Sequence, residues 1–173
     1  MSVTGQFWRL TPSEWATVEP CLDSTPSASG YDGNERAFLD VLYEDEWLHN
    51  GRCLDIEKSW LLLDFLLQDD PASPARWAIQ GGHDTPFADT DGKIRYLKPA
   101  EVAEVAAALD QESAEKLQAR VDLAAINAAG LYPGDDDWDL DVIIHFITDY
   151  LPQLIAFYQA ASCAEQHVIL ARS

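Results

Sequence analysis

Residues 55–68, DIEKSWLLLDFLLQ, decide how this chain must fold. After a charged first turn, the run from Trp60 to Leu67 is apolar on nearly every side of a helix, and such a helix needs other elements to cover it. Pro71 follows shortly and marks the end, because proline cannot continue a helix. We therefore expect a central, largely buried helix around which the rest of the chain packs.

Asp64 interrupts this apolar run. A carboxylate among leucines needs a cation or a hydrogen-bond donor if it is buried, since burying an unpaired charge is costly. Arg95, which projects from an apolar strand pattern, is the predicted mate. The favoured interpretation is a buried ion pair that fixes the packing, and the alternative is a ligand pocket.

Short strands and helices are predicted around this central helix. The predicted strands are residues 5–10, 94–97 and 167–170, and the predicted helices begin near Thr11, Asn34, Asp55, Arg76, Lys98, Asp110 and Asp135. Residues 20–33 and 82–93 are rich in turn-forming residues and are predicted to be loops. The helix from Asp110 should reach residue 129, and the last helix should break or kink near Pro152. The pattern indicates an α+β fold, a mainly helical single domain over residues 1–173 with helices packed on a small mixed or antiparallel sheet.

The composition is strongly acidic for a globular chain. The 173 residues hold 30 Asp and Glu against 11 Lys and Arg, a net charge of −19, while 47% of them are apolar. Such a surface repels phosphate backbones, so we expect no nucleic-acid and no membrane binding. Solubility is the simplest explanation of the charge, and a basic protein partner is the more specific one.

The cysteines and the chain start predict a reducing compartment. Cys21, Cys53 and Cys163 are odd in number and lack a C-x-x-C pair, so neither a disulfide framework nor a thiolate zinc site is indicated. No basic segment precedes a long apolar one, and no uncharged apolar run reaches roughly 18 residues. We expect a cytoplasmic protein. Without a glycine-rich phosphate motif, no cofactor is predicted.

An aspartate run, GLYPGDDDWDLD at residues 130–141, precedes the last helix. Asp135, Asp137 and Asp139 match the first three ligands of a calcium-binding loop, but Leu140 replaces its turn glycine and Phe146 its bidentate glutamate. Carboxylates in a first helical turn accept free N–H groups and favour the positive end of the helix dipole. The run is therefore predicted first to start a helix and second to offer a surface to a cationic partner.

Farther along this helix, Asp141, His145 and Asp149 recur every four residues and share one stripe. A metal would need a further ligand from another element. The favoured interpretation is a polar face with pairs along the helix. Its opposite, apolar face is predicted to consist of Val142, Ile143, Phe146 and Tyr150. No metal site is predicted.

A ligand pocket is the second kind of candidate site. Carboxylate, imidazole and cationic groups converging in an apolar cleft could position a polar ligand or transfer protons. The candidate residues are Asp55, Lys58, Trp60, Asp64, His83, Arg95 and Tyr96. His83 lies in a predicted loop, where binding and catalytic residues are common.

Several blocks of the chain resemble a known family. They are LDIEKSWLLLDFLL (54–67), GGHD (81–84), GKIRYLKPAEVAEVAAAL (92–109), LYPG (131–134) and LPQLIAFYQAA (151–161). In this order they resemble the YfbM-like family of uncharacterised bacterial proteins, most specifically in L-D-[IL]-[DE]-K-x-W and R-Y-L-[TK]-P-x-E-V. The resemblance implies a small bacterial α+β domain and brings no established reaction, cofactor or catalytic residue. The chain departs from it at Asp64, where relatives often have histidine.

Two functions follow from these observations. The leading hypothesis is a non-enzymatic protein-binding module, with an immunity-type or inhibitory protein for a basic partner as its specific form, since complementary charge speeds encounter. The predicted contact residues are Glu44, Asp45, Glu46, Trp47, Asp69, Asp70, Asp135, Asp136, Asp137, Trp138 and Asp139, with Trp47 and Trp138 as aromatic anchors. The alternative is a small-molecule-binding protein or hydrolytic enzyme that uses a pocket around Asp55, Lys58, Asp64, His83 and Arg95. The oligomeric state is left open, including a subunit with tryptophans at a permanent interface.

Overall fold

The computed structural model describes residues 3–22, 33–42, 50–89, 92–131 and 138–172. The strands within them are β1 (Gly5–Leu10), β2 (Cys53–Asp55), β3 (His83–Asp89), β4 (Gly92–Leu97) and β5 (His167–Arg172). The helices are α1 (Pro12–Leu22), α2 (Gly33–Leu42), α3 (Trp60–Leu67), α4 (Trp77–Gln80), α5 (Pro99–Leu109), α6 (Ala114–Ala119), α7 (Leu123–Ala128) and α8 (Leu140–Cys163). Two 3₁₀ turns, Glu57–Ser59 and Pro74–Arg76, lead into α3 and α4. The predicted α+β, mainly helical class is confirmed.

The sheet is antiparallel, with strand order β2-β1-β5-β4-β3. The last strand, β5, therefore lies in the centre, where it pairs with β1 on one side and β4 on the other. Side chains of successive strand residues point to opposite faces. Phe7 and Leu170 accordingly face a large core, while their neighbours Trp8 and Ile169 face a smaller one.

The large core contains the central helix predicted from its apolar run. Leu62, Leu63, Leu66 and Leu67 of α3 are each at most 2% exposed, and they pack with residues of α5 and α8. Fully burying one such side chain stabilises the fold by about 1.5–3 kcal/mol. The prediction of a largely buried α3 is confirmed.

The smaller core is covered by α1 and α2. Trp15 and Val18 of α1 and Phe38 and Leu42 of α2 pack on this face. The predicted start of α1 is confirmed, because the backbone N–H of Thr11 donates to Glu14 Oε2 at 2.8 Å and that of Glu14 donates back to Thr11 Oγ1 at 3.3 Å. This reciprocal cap satisfies N–H groups that the helix itself leaves unpaired.

Some element predictions were wrong. Most of the predicted loop 82–93 belongs to the hairpin strands β3 and β4, where the hydroxyl of Thr85 donates to the Ile94 carbonyl at 2.8 Å and a register shift interrupts the pairing. The turn-forming residues are compatible with a strand here because the pairing is irregular between Asp84 and Ala88. The helix predicted over 110–129 is two helices, α6 and α7, because Ser113 and Asp122 each cap a new start. Strand β2 was missed, since three residues give no periodicity.

Helix α8 continues through Pro152 without the predicted break. Its buried residues Ile143, Ile147, Leu151 and Leu154 face the large core. Among the described helices, it is long and apolar enough to cross a membrane by length and composition, a test that the core helix of a soluble protein also passes.

Candidate functional site

The seven residues predicted to form a ligand pocket lie in several separate places. Arg95 and Tyr96 are adjacent on β4, so their side chains point to opposite faces of the sheet. Trp60 and Arg95 line one narrow depression with Gln80 and Arg172. Its volume is about 10 Å³, which is room for about one water molecule. The single seven-residue pocket was therefore wrong as an arrangement.

Asp64 does not pair with Arg95, which corrects the predicted ion pair. Its Oδ2 accepts hydrogen bonds from the side-chain amides of Gln68 at 2.7 Å and Gln80 at 2.8 Å. The residue is 6% exposed. Burial raises the pKa of Asp64, against the lowering effect of the two amides and of the charges on Arg172 and Arg76. Amides, in place of a cation, donate to Oδ2 of this carboxylate.

Arg95 is engaged elsewhere on the same sheet face. Its Nε lies 2.8 Å from Asp84 Oδ1, and its Nη1 donates to the Gln80 carbonyl at 3.2 Å. Lys93 also pairs with Asp84, at 3.1 Å. The pKa of Asp84 is lowered by the hydrogen bond from Lys93 and by the charge of Arg95. Two of the cations that line the depression beside Trp60, Lys93 and Arg95, therefore already pair with a carboxylate.

The other sheet face holds an aromatic groove that includes Tyr96. His83 stacks on Tyr96 at 4.9 Å between ring centroids, and its Nε2 lies 2.7 Å from Glu101 Oε1. The imidazole of His167 stacks on Trp15 at 3.8 Å. Burial lowers the pKa of His167 to about 4. The groove has a volume of about 620 Å³ and is lined by Trp15, Glu19, Pro20, Leu22, Tyr96, Lys98 and His167.

Asp55 and Lys58 belong to neither of these places. Asp55 accepts a hydrogen bond from the Gln6 side chain at 3.3 Å and another from the backbone N–H of Glu57 at 2.7 Å. Both Asp55 and Glu57 raise the pKa of Tyr150 on α8, after burial as the main cause, to about 12. Asp55 therefore lies at the corner between β2 and α8, where its carboxylate accepts the first backbone N–H of the 3₁₀ turn.

A larger pocket opens beside Asp64. We call it the Asp64 pocket, and it is lined by Leu61, Asp64, Phe65, Gln68, Asp69 and Leu131. Its volume is about 530 Å³, within the usual range for binding pockets. Gln68 and Asp69 are exposed at its rim. Of the predicted pocket residues, Asp64 alone belongs to this cavity.

The aspartate run was predicted to start α8, and Asp139 does so. Its side chain caps the helix by accepting from the backbone N–H of Asp141 at 2.8 Å. Trp138 is 8% exposed, with its ring N–H donated to the Leu131 carbonyl at 3.1 Å and its ring edge-on to Phe146. Trp138 is thus a core residue in this structure and not an exposed anchor.

The remaining predicted partner contacts divide into two groups. Asp69 and Asp70 are exposed. The others, Glu44, Asp45, Glu46, Trp47, Asp135, Asp136 and Asp137, lie outside the residues that the structure describes.

The first turns of α8 expose an acidic stripe between aliphatic side chains. Of the four large apolar residues exposed in the described ranges, Leu140 (47%), Val142 (43%) and Ile144 (36%) lie here. At about 100° per residue, Leu140 and Ile144 border one side of the stripe and Val142 the other. Placing Val142 on the buried face was therefore wrong, because it lies too far around the helix. We call Asp139, Leu140, Asp141, Val142, Ile144, His145 and Asp149 the α8 surface.

The stripe contains the pair predicted along the helix. His145 Nδ1 lies 3.3 Å from Asp149 Oδ2, with both side chains well exposed. Within the described part of the chain, no group of three or more His, Cys, Asp or Glu residues could hold a metal ion. The stripe is a polar surface with one pair.

Sequence patterns missed the residues that complete these sites. Gln68 and Gln80 supply the donors to Asp64, and Leu131 closes its pocket. The contact of Gln68 with Asp64 could have been predicted from the sequence, since Gln68 follows Asp64 by four residues on one helix face. Gln80 and Leu131 come from other elements, and no local spacing indicates them.

Comparisons with known proteins bear on the fold. The family described as "Domain of unknown function (DUF1877)" matches residues 1–171. A solved structure of YfbM from Escherichia coli, a protein of unknown function, is similar with a TM-score of 0.66 at 19% identity, covering 96% of this chain and 98% of that one. Among curated proteins, none matches.

Proposed function

We propose that this protein, which belongs to the DUF1877 family, is a non-enzymatic module that binds a basic protein partner through the α8 surface. The observation that carries the proposal is the exposure of Leu140, Val142 and Ile144 around the acidic stripe. Exposing aliphatic groups to water is unfavourable, and the free energy falls when a partner covers them. The surface therefore offers a partner an acidic stripe with exposed aliphatic side chains on both of its sides.

Charge supports a basic partner over an acidic one. Asp139, Asp141 and Asp149 lie on or beside the stripe, and the whole chain carries −19. Complementary charge raises association rates, and salt reduces them by screening. An inhibitory or immunity-type role is the specific form of this function, and it requires that the partner lose its own activity when bound.

The test compares matched variants in capture from native lysate. Leu140→Ser with Ile144→Ser removes aliphatic surface, while Ala156→Ser with Ala160→Ser changes exposed positions farther along α8. A basic protein retained by the native chain and the control should bind the first variant at least about tenfold more weakly, a loss of about 1.4 kcal/mol. Equal binding by all three proteins, each shown to be folded by circular dichroism, would contradict the proposal.

A second candidate function is small-molecule binding in the aromatic groove. The groove combines the Trp15 and Tyr96 rings with the charged groups of Glu19 and Lys98, and its volume of about 620 Å³ suits a small ligand. Ligand-observed NMR with aromatic acids and matched aromatic amines tests it. Binding of the acids that weakens in Lys98→Gln would support this function, and no saturable binding by either set would remove it.

A further inference from the structure

Asp64 has one oxygen without a partner. Both hydrogen bonds to this carboxylate, from the amides of Gln68 and Gln80, end on Oδ2. Oδ1 is buried and accepts no hydrogen bond. A buried carboxylate oxygen left without a donor costs free energy, about 1–3 kcal/mol for an unsatisfied polar group and more for a charged one. The site is therefore one donor short.

The described cations near Asp64 do not donate to this oxygen. Arg76 and Arg172 act on Asp64 through their charge, and the net effect of its surroundings, dominated by burial, still raises its pKa. Arg120, which lies 3.7 Å from Asp69 at the pocket rim, is held by Glu112 at 3.0 Å. These cations do not complete the coordination of Oδ1.

The Asp64 pocket offers acceptors and apolar walls to a ligand. The amide nitrogen of Gln68 donates to Asp64, so its carbonyl oxygen remains an acceptor, and Asp69 adds a carboxylate that is 69% exposed. Leu61, Phe65 and Leu131 form the apolar part. A ligand that matches this set carries a positive group rich in donors on an aliphatic stem, and lysine and arginine side chains have that form.

We propose that the Asp64 pocket receives an arginine or lysine side chain of the basic partner. This inference rests on the proposed function, because it names the chemical group by which the same partner is recognised. The stem packs on Leu61, Phe65 and Leu131, while the cation donates to Asp64 Oδ1 and to Asp69 at the rim. Phe65 adds an aromatic ring to which a cation is attracted.

The pocket wall and helix α8 are connected through Trp138. The Leu131 carbonyl, at the pocket wall, accepts from the Trp138 ring N–H, and Trp138 contacts Phe146 of α8. The proposal requires one partner to reach both the pocket and the α8 surface. Less than 1 Å² of Asp64 Oδ1 is exposed, so a lining side chain shifts before the cation reaches it. Rotamer changes of this kind are common at interfaces.

Three capped amino acids test the pocket directly. Nα-acetyl arginine amide, lysine amide and norleucine amide are titrated into the ¹⁵N-labelled protein, and the amide signals of Gln68, Asp69, Gln80 and Leu131 are followed. The arginine or lysine compound should shift them saturably with a dissociation constant of about millimolar, as expected for so small a ligand. The tighter of the two identifies the side chain. Norleucine amide, which has the stem without the charge, should produce no saturable shift.

Variants assign the effect to the carboxylates. Asp64→Asn should weaken binding of the cationic compound at least fivefold, and Asp69→Asn, a surface change that leaves the buried amides in place, should also weaken it. Asp70→Asn is the matched control, because Asp70 is an exposed neighbour outside the pocket lining whose carboxylate caps Ala72. Unchanged binding in both Asp64→Asn and Asp69→Asn, or equal binding of norleucine amide, would overturn the inference.

The same variants separate this inference from the proposed function. If partner binding is lost in Leu140→Ser with Ile144→Ser but kept in Asp64→Asn and Asp69→Asn, the α8 surface binds the partner and the pocket proposal is wrong. If the α8 variant binds normally, the proposed function itself fails.

Discussion

Asp64 and Arg95 are joined through Gln80 and make no ion pair with each other. The side-chain amide of Gln80 donates to Asp64 Oδ2 at 2.8 Å, and its backbone carbonyl accepts from Arg95 Nη1 at 3.2 Å. Arg95 directs its charge to Asp84 instead. Asp64 is therefore a buried carboxylate held by neutral donors, and this arrangement has measurable consequences.

The first prediction concerns the pH dependence of Asp64. Burial raises its pKa, so the folded protein holds this proton more tightly than the unfolded chain, and the resulting stabilisation is lost as pH rises through the folded pKa. Asp64→Asn lacks this loss. Urea unfolding from about pH 4 to 7 should show the free energy of unfolding of the variant increasing relative to the native chain as pH rises. A constant difference would contradict the cause assigned to the shift.

His167 gives a prediction of the opposite sign. Burial lowers its pKa to about 4, although Glu19 and Glu101 favour the charged form and Lys98 opposes it. The unfolded chain, with a histidine pKa of about 6.5, therefore binds the proton more readily, and stability falls as pH drops from about 6.5 toward 4. His167→Phe keeps a ring on Trp15, and its melting temperature should fall less than that of the native chain when the pH is lowered between these values. Equal losses in both proteins would exclude His167 as a source.

The approach of β1 to α3 predicts the effect of a single methyl group. A Cβ on Gly5 would lie 2.8 Å from Trp60 Cβ, closer than packed carbon atoms come. Gly5→Ala should therefore cost about 1–3 kcal/mol, as overpacking in cores does. In Gly33→Ala, the control, the new Cβ meets no heavy atom of the described residues within 4 Å. Denaturant midpoints should fall for the first variant, and equal midpoints would show that the contact relaxes freely.

The start of α8 predicts unequal roles for two neighbouring aspartates. The carboxylate of Asp139 caps the helix by accepting from the N–H of Asp141, so Asp139→Ala should cost about 1 kcal/mol. Asp141 lies in the first turn, where its charge is stabilised by the helix dipole, and Asp141→Ala should cost about 0.3–1 kcal/mol. Thermal unfolding at low and high salt separates them, since salt screens the dipole effect and leaves the cap. A larger loss for Asp141→Ala would contradict the assigned cap.

The sequence predicted the parts of the fold that local chemistry determines. The apolar run of α3, the Thr11 cap of α1 and the three inner strands β1, β4 and β5 each follow from side-chain pattern over a few residues. The hairpin strand β3 was missed because its turn-rich composition and register shift hide the alternation of a strand. Helices α6 and α7 were predicted as one helix because the alanine-rich pattern continues across residues 110–129. The caps at Ser113 and Asp122, which start the two separate helices, do not interrupt that pattern.

The candidate sites were less predictable because they are assembled from distant segments. Asp64 was singled out correctly as a buried carboxylate, but its partner Gln80 comes from α4. The charge of Arg95 suggested a pair that the nearer Asp84 takes instead, since Asp84 lies opposite it in the hairpin register. Tyr96 and Arg95 were assigned to one pocket because they are neighbours in the sequence. Successive side chains of a strand point to opposite faces of the sheet, so the two side chains cannot line the same pocket.

Hydrogen–deuterium exchange of the protein, alone and with the basic partner recovered by capture, tests the central claim most directly. If the α8 surface and the Asp64 pocket bind that partner, exchange should slow in residues 138–149 and 61–69 and remain unchanged in residues 83–97. Slowed exchange confined to residues 83–97 and α1, with none at the start of α8, would place the partner on the aromatic groove and contradict the account.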